Sequence, residues 1–377
     1  MKQTARIISV YTADVMGVCS ALFELGGMSV MHDASGCNST YNTHDEPRWY
    51  DTDSLVFISG LSEMEAIMGD DNKLIDDIVK AAEELGPKFI AVAGTPVPMM
   101  TGTDFGAVAK VIEKRTGIPT LGLQTNGMHS YISGAGMAFG ALAERFVKEP
   151  ENKINNGLNI LGVTPLDFSV NGSAESLRSF AGDNGFELVG CWAMGGGLEE
   201  ICKSGSAAVN LVVSGCGFRA AETLQRRFGI PYVAAAPFGK KYSSNVAEAL
   251  RKVIKTGKSS VPYIDRPFSD APDAVIIGES VTSGSLAAAL AESRGITARV
   301  ICPVDNNNAL LAKGDFQATD EDEIEPLLKG ARYIIADPLY KPVCPESSRF
   351  VSLPHEAFSG RIFRKEIPNL VCSDLEF

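Results

Sequence analysis

The stretch Val209-Asn-Leu-Val-Val-Ser-Gly-Cys-Gly-Phe-Arg-Ala-Ala-Glu-Thr-Leu-Gln-Arg-Arg-Phe-Gly-Ile-Pro-Tyr232 decides the architecture. An apolar run, Val209–Val213, with a single polar residue at Asn210, breaks at Ser-Gly-Cys-Gly. A helical pattern from Ala220 to Phe228 follows, stops at Gly229, and leads into a second apolar run, Tyr232–Ala236. Apolar runs without polar alternation are strands buried on both faces, and a helix joining two of them implies parallel pairing.

The same alternation extends in both directions. Further strand signals are 55–59, 89–93, 120–123, 158–163, 187–190, 274–277, 298–301, 333–336 and 350–353, with a short apolar run at 28–31. Helical patterns fill the gaps at 73–85, 105–115, 138–148, 174–183, 244–255 and 285–293. In the first of these, Leu74, Ile78, Ala81, Ala82 and Leu85 share one face. Two polar or proline-rich stretches, Glu149–Gly157 and Thr256–Asp273, divide the chain. The expectation is α/β: three Rossmann-like parallel-sheet domains at 1–153, 154–260 and 261–377.

Composition excludes some functions. The 377 residues carry a net charge of −12, the wrong sign for a nucleic-acid surface. No run approaches the roughly 20 apolar residues of a membrane span, and the N-terminus lacks the pattern of a signal peptide, so a cytoplasmic location is expected. The eight cysteines include no CxxC pair, which argues against zinc ribbons and thioredoxin-like chemistry. No GxxxxGK[ST] is present, so ATP hydrolysis would belong to a partner.

In open α/β sheets ligands sit at the carboxyl ends of strands, so the loops there are the place to look. They are 31–37, 59–74 and 93–105 in the first block, 163–176, 192–200, 214–219 and 236–242 in the second, and 278–286, 304–309, 336–341 and 353–361 in the third. Gly195, Gly196 and Gly197, and Ser283 within Thr282–Leu286, are read as preceding helices whose amides could hold an anion such as a ligand carboxylate. Gly134–Gly140 has the wrong spacing for a dinucleotide fingerprint and reads as close helix packing. Glu63 and Glu65 read either as acids for proton delivery or as a solvated helix start.

The serial order of the loops resembles the nitrogenase component-1 family, which includes nitrogenase-like reductases and cofactor-assembly scaffolds. His32–Cys37 is similar to the family's cluster-cysteine loop. Leu61–Leu74 and Gly94–Phe105 resemble the two segments that follow it. Val209–Tyr232 resembles a strand–helix unit ending in a Gly-Ile-Pro-Tyr turn, and Ser352–Gly360 the loop that presents a histidine to the cofactor. The resemblance implies that Cys19 and Cys37 ligate an iron–sulfur cluster, since thiolates are strong donors to iron. The family's third cysteine is replaced by Gly94-Thr95-Pro96. Two cysteines from each of two chains would complete a 4Fe–4S cluster across a dimer interface. It further implies a homodimer, or a heterodimer with a related subunit, and an ATP-dependent iron-protein-like reductase as electron donor. The substrate would be a small organic molecule, with a tetrapyrrole as one option. His355 and Glu63 would be catalytic; Gly195–Gly197, Cys216 and Ser283 would bind cofactor or substrate. A metallocluster scaffold without turnover is the other role the resemblance allows.

Overall fold

The computed structural model describes residues 6–8, 10–34 and 45–375. Cys37 therefore lies outside the described residues.

Three sheets, all parallel, account for the described strands. The first has order β2-β1-β3-β4, from β1 (Met28–His32), β2 (Leu55–Ile58), β3 (Ile90–Gly94) and β4 (Thr120–Leu123). The second repeats that order as β6-β5-β7-β8, from β5 (Gly157–Val163), β6 (Glu187–Ala193), β7 (Val209–Val212) and β8 (Tyr232–Ala234). The third is β11-β10-β9-β12-β13, from β9 (Ala274–Ile277), β10 (Ala298–Cys302), β11 (Phe316–Gln317), β12 (Tyr333–Ala336) and β13 (Arg349–Ser352). In each sheet the chain runs outward from the first strand in one direction and later returns to its other side. That reversal creates a switch point where two strand-end loops diverge. Central strands such as β3, β5 and β9 are buried along their whole length, which explains the unbroken apolar sequences of β3 and β9; in β5 the one polar residue, Asn159, is buried and bonded to Ser204 and Asn210.

The first and second sheets are joined by the helix Tyr131–Arg145, which packs against helix Asp14–Leu22 on one side and helix Phe218–Phe228 on the other. Its glycines permit this. A Cβ on Gly134 would overlap the Asp14 carbonyl, and one on Gly17 the Tyr131 carbonyl. The same glycines hid the helix start, expected at 138, because glycine is a poor helix former. Thr282–Leu286, expected to precede a helix, lies inside the helix Ser280–Arg294. Glu279 accepts from the Val281 and Thr282 amides and fixes the start earlier.

The last described residues leave the third sheet and return to the second. Asn171 donates to the Ile367 carbonyl and Asn369 to Ser176. The Gly239 amide donates to the Leu370 carbonyl, and the Cys372 amide to Pro237. No described helix is long and apolar enough to cross a membrane.

Candidate functional site

The switch-point loops of the second and third sheets face one another around a buried carboxylate, Asp167. It sits in the single helical turn Pro165–Phe168, immediately after β5. Its Oδ1 accepts from the Tyr131 hydroxyl at 2.5 Å and lies 3.4 Å from His355 Nε2. Its Oδ2 accepts from Ser214 Oγ, after β7, at 2.6 Å, with Cys216 Sγ at 3.6 Å. Burial, followed by Asp167 beside them, pushes both the Tyr131 hydroxyl and the Cys216 thiol well above their ordinary pKa values. Both are therefore neutral near pH 7.

Glu279, after β9, is 1% exposed. One carboxylate oxygen accepts from the Gly215 and Val281 amides and the Ser280 hydroxyl; the other accepts from the Thr282 amide and hydroxyl. The carboxylate thus fills the anion position at the start of its own helix and ties the second sheet's loop to the third sheet. Burial first, and then Asp167, raise its pKa above the ordinary value.

His355 follows β13. Its Nδ1 accepts from the Ala357 amide at 3.2 Å, capping the turn Glu356–Ser359, and its ring stacks on Phe358 with centroids 4.5 Å apart. Asp337, after β12, accepts from the His355 amide at 2.8 Å and from Ser359 at 2.7 Å, pinning the loop. With Nδ1 accepting, the ring hydrogen lies on Nε2, which approaches Asp167 at 3.4 Å but makes no hydrogen bond among the described residues.

Between these loops lies a cavity of about 60 Å³, bordered by Asp167, Glu279, Thr282, Ser283 and His355 and by Phe168, Phe238, Leu286, Leu353 and Phe358. Residues of the returning tail, Ile367, Pro368 and Leu370, close its wall.

Of the residues singled out in the sequence, His355 and Ser283 border this cavity. Cys216 stands behind it, bonded to the Ser214–Asp167 pair. Gly195, Gly196 and Gly197 are not among the described residues lining it. The Gly195 amide donates to Glu24 at 2.7 Å and its carbonyl accepts from Arg178. Glu63 is exposed in the first turn of helix Glu63–Met68, capped by Ser62 and Glu65, on the first sheet and away from the cavity. Ser214 falls in the 214–216 loop expected to line the cleft, whereas Asp167, Tyr131 and Glu279 were not singled out. Asp167 and Glu279 lie in strand-end loops, but nothing in the sequence separates them from their neighbours. Tyr131 gives no sequence signal at all.

Cys19 is 2% exposed on helix Asp14–Leu22. Burial, and then Glu46, push its thiol up, against the opposing pull of Arg48. Arg48 is itself buried, bonded to Glu46 at 2.7 Å and Glu24 at 3.0 Å. Among the described residues no group of three or more His, Cys, Asp or Glu is arranged to hold a metal. Cys19 is one soft donor beside a cation, so a four-thiolate cluster fits here only with ligands from outside the described residues.

Three parallel sheets, two of whose switch points converge on one cavity, define a three-layered α/β protein of the kind that holds ligands between its layers. The chain belongs to the nitrogenase component 1 type oxidoreductase family, whose model matches residues 14–295. It is 26% identical over 204 residues to the nitrogenase iron-molybdenum cofactor biosynthesis protein NifE of Bradyrhizobium diazoefficiens, covering 53% of this chain and 36% of that one. It is 29% identical over 160 residues to one of the subunits of the light-independent protochlorophyllide reductase of Leptolyngbya boryana, covering 37% of this chain and 32% of that one. The matches thus span less than half the length of these relatives. A solved structure, nitrogenase Cp1 at pH 6.5, superposes with a TM-score of 0.70 over 96% of this chain and 89% of that one, at 16% identity. That likeness establishes the fold.

Proposed function

We propose that the protein is a nitrogenase-like component-1 reductase that reduces a small organic substrate in the cavity beside His355. The observation that carries this reading is the convergence of Asp167, Glu279 and His355, contributed by separate elements, on one cavity, with Tyr131 and Ser214 bonded to Asp167 behind its wall. Such convergence of polar groups on an otherwise apolar cavity is the signature of a ligand site. Asp167 would orient the substrate by hydrogen bonding, and the Nε2–H of His355 would polarise an acceptor atom. The apolar wall would exclude water and strengthen both interactions.

Electrons would come from an ATP-dependent iron–sulfur partner. Cys19 and Cys37 from each of two protomers would hold the receiving 4Fe–4S cluster, which when bound supplies one-electron transfer. The second reading, a cofactor scaffold without turnover, is favoured by the likeness to a protein named for cofactor biosynthesis.

Anaerobic purification followed by iron and sulfide analysis tests the cluster. About two of each per chain, lost in Cys37→Ser, are expected for one four-iron cluster per dimer. No iron after reconstitution would overturn it. Iron without donor-driven consumption of electrons would favour the scaffold.

A further inference from the structure

The third sheet carries a second cleft at the amino ends of its strands, away from the cavity beside His355. Arg266 and Phe268 border it from the segment leading into β9, Arg299 from the start of β10, and Lys313 and Gly314 from the turn before β11. Gly314 has a left-handed backbone, φ +85°, and the Phe268 ring fills the space its Cβ would need. Three cations, far apart in sequence, thus meet in one small space of a chain whose net charge is −12.

Their compensation is incomplete. The Arg266 side chain is 5% exposed; it donates to Asp315 and to the Tyr263 carbonyl. Asp315 also accepts from the Val300 and Ala312 amides, which fixes the pair against β10. Among the described residues Arg299 has no carboxylate partner. It donates to the main-chain carbonyl of Asp270 at 3.2 Å, and its guanidinium lies 5.4 Å from the centre of the Phe316 ring. Lys313 has no acid partner among them either; its Nζ stands 4.6 Å from the centre of the Phe268 ring. The Nε atoms of Arg266 and Arg299 are both buried and have no hydrogen-bond partner among the described residues. A buried donor left unpaired is destabilising, the more so on a charged group, unless water or a ligand supplies the acceptor. Three cations against the one carboxylate of Asp315 leave two positive charges uncompensated.

We infer that this cleft binds a phosphate group, free or as the monoester of a small organic body. A phosphate monoester carries about −1.5 to −2 charges at pH 7 and three strong acceptor oxygens. That matches two uncompensated cations and two guanidinium groups with donors to spare. The closed part of the cleft, about 10 Å³, has room for one water-sized atom. One phosphate oxygen therefore enters toward the guanidinium groups, and the rest of the group stays at the mouth beside Lys313 and Phe268. A carboxylate brings a single charge to the same groups and is held more weakly. The net charge of −12 repels anions at long range, so these local groups supply the binding. The inference does not depend on what the His355 cavity holds.

Calorimetric titration of the full chain with inorganic phosphate, phenyl phosphate and acetate, at one fixed ionic strength, tests this. Both phosphates are expected to bind, and acetate at least about tenfold more weakly. Phenyl phosphate binding more tightly than inorganic phosphate assigns the cleft to a monoester whose body lies against Phe268; equal or weaker binding assigns it to free phosphate. Arg299→Gln is expected to weaken phosphate at least about tenfold. Lys313→Gln, on an exposed side chain, is expected to weaken it about threefold and keeps the test independent of how well Arg299→Gln folds. Lys110→Gln makes the same charge change on the exposed face of helix Phe105–Thr116, beside the first sheet, and is expected to leave the affinity unchanged. Silence from both phosphates would overturn the proposal. So would acetate binding as tightly as phosphate, an affinity indifferent to both Arg299→Gln and Lys313→Gln, or equal weakening by Lys110→Gln and Lys313→Gln.

Discussion

The ring of His355 serves the backbone with one nitrogen and the cavity with the other. Asparagine is a good N-cap, and its side-chain oxygen can accept from Ala357 while offering no equivalent of the Nε2 donor. His355→Asn is therefore expected to leave stability within about 1 kcal/mol of the parent by urea denaturation, while substrate turnover falls at least about tenfold. His355→Ala loses the cap as well and is expected to be about 1 kcal/mol less stable. Glu279 offers a different separation. In Glu279→Gln the amide NH2 must oppose at least one existing donor, at a cost of about 1–3 kcal/mol. The parent also has a pH signature. Burial raises the pKa of Asp14, Glu279 and Glu356, in each case as the largest cause. A carboxyl whose folded pKa is raised binds more protons folded than unfolded, so stability falls as pH rises from about 4 through the raised values. Denaturation across that window should show the decline, and Glu279→Gln should flatten part of it.

At the scale of elements, much of the fold was readable because physics writes it locally. β3, β9 and β12 are apolar without interruption because helices or other layers cover both their faces. The helix Tyr131–Arg145 was harder, since Gly134, Gly136 and Gly140 weaken its local signal while serving a contact that no local pattern shows. Gly134→Ala and Gly17→Ala are each expected to cost about 3 kcal/mol through overpacking. Gly182, exposed in helix Ser173–Asp183 with open space where a methyl would stand, is the control. Gly182→Ala is expected to stabilise by about 0.5 kcal/mol in the same denaturation series. The cavity was legible only by its loops. Strand ends announce themselves, but the choice of Asp167, Ser214 and Glu279 within those loops depends on how two sheets face each other. Tyr131 reaches Asp167 from a third element, and nothing near Tyr131 in the sequence signals it.

For the whole molecule, the returning tail joins the third sheet to the second. Beyond the bonds from Asn171 and Asn369, Val371 is 4% exposed and Leu375 8%. Truncation after Glu366 should lower unfolding free energy by about 4 kcal/mol, from the lost burial and hydrogen bonds, and should be visible as a lower thermal midpoint.

That tail also sets a clock. The glycine crossing of helices Asp14–Leu22 and Tyr131–Arg145 leaves no slack on one side of the molecule, whereas the cavity wall formed by Ile367, Pro368 and Leu370 is a strap of short segments held by a few bonds. If entry requires the strap to lift, the observed association rate levels off with increasing concentration, at a ceiling equal to the opening rate that hydrogen exchange reports for the Leu370–Ser373 amides; entry past a fixed strap gives a rate that rises linearly instead.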